Sequence, residues 1–179
     1  GPQGLRNDDA VSLQAASDGN PDYELINPIC FEPAIAPHIA AALSGQPITL
    51  QALHRWWQTR PDDYDVEIVE GAGGWRLPVN AVETLDSFVV TEQLPVILVV
   101  GMKLGCLNHA MLTVEAIRHA GVPLAGWVAN QPGAQMDYYA ENLAYLKQQI
   151  PAPLLAEIPV IAQGETLPDE SFDLSPLLS

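Results

Sequence analysis

The apolar positions of the chain fall into short runs separated by longer segments with helical spacing. Val96-Ile-Leu-Val-Val100 is an unbroken apolar run behind Pro95, the pattern of a strand covered on both faces. Val66–Glu70, Gly126–Ala129 and Leu154–Ile158 read as further strands. Asn108–Ala120 reads as a helix stopped by Gly121-Val-Pro123, and Asp137–Gln149 as a helix closed before Pro151. Pro37–Ser44 and Thr49–Thr59 form a helical pair, the second started by Thr49. Arg6-Asn-Asp-Asp9 enters a short helical pattern with no strand before it. Strands alternating with helices predict an α/β fold, a mostly parallel sheet flanked by helices, in a single domain over residues 1–179. The acidic, proline-bearing tail after Gly164 is expected to lie along the surface.

Composition narrows the class. A chain that is 48% hydrophobic and 16% charged is not disordered. No apolar run reaches the length of a membrane span, and no signal peptide is visible. Cys30 and Cys106 have no metal-like spacing, which fits a reducing, cytoplasmic setting. The net charge of −15 argues against nucleic acid as a partner, because phosphate backbones select basic faces. The same charge is a difficulty for a nucleotide enzyme, since a triphosphate needs cations and the only lysines are Lys103 and Lys147. The start, Gly1-Pro-Gln-Gly4 without an initiator Met, reads as unnatural, with Gly1-Pro2 consistent with a cloning remnant.

The candidate chemistry begins at Asp65-Val-Glu-Ile-Val-Glu70, followed by Gly71-Ala-Gly-Gly-Trp75. A strand ending in a carboxylate and then a glycine turn is the layout of a nucleotide site at the carboxyl edge of a parallel sheet. The carboxylate suits Mg²⁺, which takes hard oxygen ligands. Glycines let backbone N–H groups approach phosphate oxygens. An ordinary glycine turn with a solvated Glu70 fits the same residues.

Glu70-Gly-Ala-Gly-Gly-Trp75, Leu94-Pro-Val-Ile-Leu-Val-Val-Gly101, Lys103-Leu-Gly-Cys-Leu-Asn-His109, Leu124-Ala-Gly-Trp-Val-Ala-Asn130 and Ile150-Pro-Ala-Pro-Leu-Leu155 together resemble dethiobiotin synthetase. Gly4-Leu-Arg-Asn-Asp-Asp9 and Pro37-His-Ile-Ala40 fit the same family, so the resemblance runs in one register over nearly the whole chain. It implies a homodimeric, cytoplasmic ligase of P-loop-type α/β fold. Such an enzyme closes the ureido ring of dethiobiotin from 7,8-diaminopelargonate and CO₂ with ATP and Mg²⁺. The family opens with a strand, a phosphate loop G-x-x-x-x-G-K-[ST] and its helix. No such loop occurs in these 179 residues, so the chain reads as N-terminally incomplete, and its catalytic lysines are not among the residues present. These residues alone are expected to bind ATP poorly and turn nothing over.

The resemblance also assigns roles. Glu70 and Asp9 match Mg²⁺ and ATP ligands, whereas an Asp at a helix start is also explained by the helix dipole. Gly71, Ala72 and Gly73 match backbone contacts to phosphates, with Trp75 packed beneath the loop. Arg76 is read as a surface arginine. Asn130 matches the residue that holds adenine, Gln131 stands where an acidic residue often follows it, and Ile158, Pro159 and Val160 match the lining of the base pocket. Gly105, Cys106, Leu107 and Asn108, at a helix starting near Leu107, match the segment that receives the substrate carboxylate across the dimer. Asn108 equally fits a helix cap. His109 and His119 read as packing or surface residues. A tyrosine that touches substrate in some members falls at Asn142 here, leaving Tyr138, Tyr139 and Tyr145 nearby. Two alternatives stay open: a non-catalytic homologue that only binds ligand or dimerises, and another P-loop amidoligase.

Overall fold

The computed structural model describes residues 4–61, 63–162 and 165–178; the Gly1-Pro-Gln start and Gly164 lie outside them. The chain forms two compact units, Gly1–Phe88 and Val89–Ser179.

The first unit is built from α1 (Asp8–Ala16), α2 (Tyr23–Ile26), α3 (Pro37–Ser44) and α4 (Leu50–Trp57). A side chain caps α1, where Asn7 accepts from the N–H of Ala10, and another caps α4, where Thr49 accepts from the N–H of Ala52. Pro37 sits in the first turn of α3, where its missing N–H costs nothing. A small core of Ala41, Ile48 and Val79 is flanked by Ile29, Phe31, Leu50, Leu53 and Leu85. The turn after Val79 is tied down by Asn80, whose Oδ1 accepts from Val82 N and Glu83 N and whose Nδ2 donates to the Ile48 carbonyl. Phe88, in the short α5 (Asp86–Thr91), stacks edge-on against Trp57 at 5.7 Å.

The second unit is a βαβαβ arrangement: β1 (Val96–Gly101), α6 (Cys106–Ala120), β2 (Leu124–Asn130), α7 (Tyr139–Gln149) and β3 (Leu154–Ile158). The strands form an all-parallel sheet in the order β1-β2-β3. Val100, Met102, Trp127 and Ala129 pack under Ala110 and Val114 of α6 and Leu143 and Leu146 of α7, so both helices cover one face. The other face carries a smaller cluster of Val128, Leu155 and Ala156 with Ile158 and Leu177. The acidic tail does run along this unit: Asp173 N donates to the Leu155 carbonyl and Phe172 bridges Ala156 beside β3. Its turns are the short 3-10 helices Asp169–Ser171 and Ser175–Leu177.

Two expectations are corrected. Val66–Glu70 carries no regular secondary structure and joins no sheet among the described residues; Val66, Ile68 and Val69 are 66%, 80% and 47% exposed. A segment becomes a strand only when a neighbour takes its N–H and C=O groups, and among the described residues none does. The run Val96–Val100 is a strand, but it is covered on one face only. Val100 is 5% exposed, whereas Ile97 and Val99, which point away from the helices, are 41% and 57% exposed. The second-face cluster covers β2 and β3 and does not reach β1.

Candidate functional site

The carboxyl ends of β2 and β3 supply the first part of the site. The ladder continues past both strands: Met102 N donates to the Asn130 carbonyl at 2.7 Å, and Gln131 N to the Ile158 carbonyl at 3.0 Å. Beyond this ladder Asn130, Gln131, Pro132, Pro159, Val160 and Ile161 line a cavity of about 200 Å³. A crevice outside the carboxyl ends of parallel strands is where open α/β sheets bind ligands. Four of the expected residues, Asn130, Gln131, Pro159 and Val160, are thus brought together. Ile158 does not line the cleft; its carbonyl accepts from the Gln131 N–H. Pro132 and Ile161 were not foreseen, because an apolar lining residue carries no chemical signature in sequence.

The segment after β1 is the second part. Gly105, not Asn108, is the N-cap of α6, with φ of 93° in the left-handed region that favours glycine. The helix therefore starts at Cys106, and Asn108 is an exposed residue of its first turn rather than its cap. No side chain caps this end; the Cys106 N–H donates to the Lys103 carbonyl, and the N–H groups of Leu107 and Asn108 are left for an anion. Cys106 is 3% exposed within the core and its N–H is bound at 2.9 Å, so neither its thiol nor its N–H faces a ligand. Leu107 is half-buried against the same core.

At the start of α7, Tyr138 has φ of 54° and its carbonyl accepts from Asn142 Nδ2. Asn142 is thereby folded onto its own helix end. Tyr139, half-buried behind it, has its phenol pushed above the ordinary tyrosine range, first by burial and then by the charge and hydrogen bonding of Glu157. Glu157 also pairs with Lys147 at 2.7 Å.

The expected metal ligands lie in the first unit. Asp9 is an exposed residue in the first turn of α1. The approach to α1 is pinned by Tyr23, which is buried, accepts from Asn7 N at 2.8 Å and lies under the Arg6 guanidinium. Glu70 is exposed in the segment that Arg60 fixes upstream through its ion pair with Glu67. No hydrogen bond or ion pair links Asp9 to Glu70. Among the described residues no group of three or more His, Cys, Asp or Glu gathers at one point. Two exposed carboxylates still have the donor chemistry of Mg²⁺, which is commonly held by one or two carboxylates with water completing its shell.

Gly71, Ala72 and Gly73 are exposed, as a phosphate-facing turn requires. Neither glycine adopts a positive φ. At Gly73 a Cβ would stand 2.9 Å from Leu77 Cδ1, the movable end of a side chain, so packing does not by itself require glycine there. Trp75 is half-buried below the turn, and Arg76 is a surface residue 3.9 Å from Asp86. No helix among the described residues is long and apolar enough to cross a membrane.

The family model for an AAA domain matches residues 1–166. The ATP-dependent dethiobiotin synthetase BioD of Cellvibrio japonicus is 49% identical over 98% of this chain and 78% of its own length. Its counterpart from Aeromonas salmonicida is 48% identical over 99% of the chain and 79% of its own length. BioD 1 of Escherichia coli K12 is 48% identical over 91% and 72%. Identity at this level over nearly the whole chain, together with the parallel sheet and its carboxyl-edge cleft, leaves one conclusion: the chain belongs to the ATP-dependent dethiobiotin synthetase family.

Proposed function

We propose that this protein is an ATP- and Mg²⁺-dependent cyclo-ligase of biotin synthesis. It joins 7,8-diaminopelargonate and CO₂ into the ureido ring of dethiobiotin. One amine of the substrate adds to CO₂ to give a carbamate. The carbamate oxygen takes the γ-phosphoryl group of ATP, releasing ADP. The second amine then attacks the carbamoyl carbon and expels phosphate.

The observation that carries this reading is the cleft at the carboxyl ends of β2 and β3, where Asn130 and Gln131 face an apolar wall of Pro159 and Val160. It has the makeup of a base pocket: flat apolar sides and two amides able to donate and accept. Gly71, Ala72 and Gly73 are assigned to the phosphates. Asp9 and Glu70 are assigned to Mg²⁺, which when bound neutralises phosphate charge during transfer. This assignment also answers the charge problem, since the cation offsets repulsion between ATP and an acidic chain. Leu107 and Asn108, behind the Gly105 turn, are assigned to the substrate carboxylate through their open N–H groups, in a homodimer where this segment serves the neighbouring subunit.

The test is product analysis. The protein as its gene encodes it, given diaminopelargonate, bicarbonate and Mg·ATP, is expected to yield dethiobiotin, ADP and phosphate in equal amounts. ATP hydrolysis without ring closure, or no turnover at all, would overturn the proposal.

A further inference from the structure

Of the seven Lys and Arg residues, Arg60 alone is not exposed. Its side chain is 13% exposed, and its Nη1 is buried. Desolvating a guanidinium is costly unless it is paired, so a cation withdrawn from the surface of this acidic chain needs a partner. Three contacts surround it. Nε donates to the Trp57 carbonyl at 2.9 Å, the guanidinium lies over the Trp57 ring, and Nη1 forms the ion pair with Glu67. The end of α4 thus holds the guanidinium, which grips a residue of the segment that follows. α4 is itself anchored. Leu53 packs on the small core of Ala41, Ile48 and Val79, Leu50 N donates to Glu83 Oε2 at 3.2 Å, and Trp57 meets Phe88 edge-on.

Glu67 belongs to a segment without such support. Residues 66–70 pair with no strand among the described residues, and Val66 and Ile68, on either side of Glu67, are exposed. Downstream, the Leu77 carbonyl accepts from Leu85 N at 2.8 Å. Between these two ties lie Glu70 and the turn Gly71–Gly73. We propose that Arg60 is a positioning residue for the metal site, clamping Glu67 to the end of α4 so that Glu70 is held where a divalent cation is taken up. This inference rests on the reading of Glu70 as a Mg²⁺ ligand. A buried ion pair adds little to stability that an apolar pair would not, but the planar guanidinium fixes direction, which suits a clamp.

The test uses the protein as its gene encodes it and reads two quantities. The first is amide exchange of residues 66–75 without metal or nucleotide. Arg60→Leu is expected to speed it about tenfold and leave β1–β3 unchanged. The second is the Mg²⁺ concentration that half-saturates ring closure. Arg60→Leu is expected to raise it about tenfold, with kcat at saturating Mg²⁺ changed less than about threefold. Arg60→Lys keeps the charge without the planar fork and falls between. Glu67→Gln repeats the leucine result and carries the test if Arg60→Leu folds poorly. Once Glu70→Gln is in place, Arg60→Leu should lower kcat/KM less than about threefold further, because both act through one carboxylate. Unchanged exchange, an unchanged Mg²⁺ requirement, or additive losses in the double variant overturn the clamp and leave Glu70 as a ligand. Unaltered kinetics of Glu70→Gln, or a wild type without turnover, overturn the underlying reading and this inference together.

Discussion

The carboxyl end of the three-stranded sheet and the glycine-rich segment 66–75 look alike in sequence, each an apolar run leading into polar and glycine residues, yet they are held in different ways. In the sheet, interstrand hydrogen bonds extend beyond the strands to Met102 and Gln131, so Asn130 and Gln131 are placed by a ladder anchored in a buried core. Glu70 ends a segment whose apolar side chains are largely exposed and which pairs with no strand among the described residues. An apolar run thus specifies a strand only where a neighbour completes its hydrogen bonds. The residues read as base ligands rest on a rigid frame, and those read as metal ligands rest on local ties: a cap, a tyrosine and an ion pair.

The largest expected effect probes the frame. Trp127 is fully buried in β2 beneath both helices, and Trp127→Ala should cost about 3–5 kcal/mol in denaturant unfolding. Amide exchange in β1–β3 should rise with it; a loss below about 1 kcal/mol would mean that the sheet is not held from this core. Glu70 is the converse case, a residue expected to matter for chemistry and not for stability. Glu70→Gln should lower kcat/KM about a hundredfold and leave the melting temperature unchanged. Unaltered kinetics would remove Glu70 from the site. Asn7→Ala removes the cap that shapes the Asp9 turn and should destabilise by about 1 kcal/mol, with faster exchange confined to α1. A global effect there would erase the contrast between frame and local tie.

The smallest effect concerns Tyr139. Its phenol holds its proton more tightly in the folded chain than in the unfolded one. Between the ordinary tyrosine value, about pH 10, and the raised folded value, the unfolded state loses the proton first. Stability should therefore fall as pH rises through that window. Tyr139→Phe should make this fall shallower and change nothing near neutrality. An identical alkaline profile for both proteins would deny that burial and Glu157 together hold the Tyr139 proton.

Elements with strong local signals were legible in the sequence. α3 and β3 have the bounds that their Pro37 start and the apolar run Leu154–Ile158 imply, and Thr49 caps α4 as its side chain suggests. Elements fixed by backbone geometry were less so. α6 begins two residues earlier than expected because Gly105 turns left-handed, a property of φ that composition does not show. α2 and α5 are too short to display a period. Four of the six cleft residues were assigned beforehand, Asn130 and Gln131 because amides announce their chemistry and Pro159 and Val160 through the family resemblance. Pro132 and Ile161 enter through the path of the loops alone. The strand ending in Glu70 failed because pairing is decided by neighbours distant in sequence, which a local pattern cannot record.

The one-sided cover of β1 bears on how the molecule behaves in solution. Beside β3 the sheet is fringed by Phe172 and Asp173, while β1, with Ile97 and Val99 showing, has no further strand beside it among the described residues. Such a margin adheres readily to other copies. The surplus of negative charge across the chain works against that adhesion at low ionic strength and fades once salt shortens its reach to about 10 Å near 0.1 M. Concentrated, salted preparations are therefore where clumping at this margin first outweighs mutual repulsion.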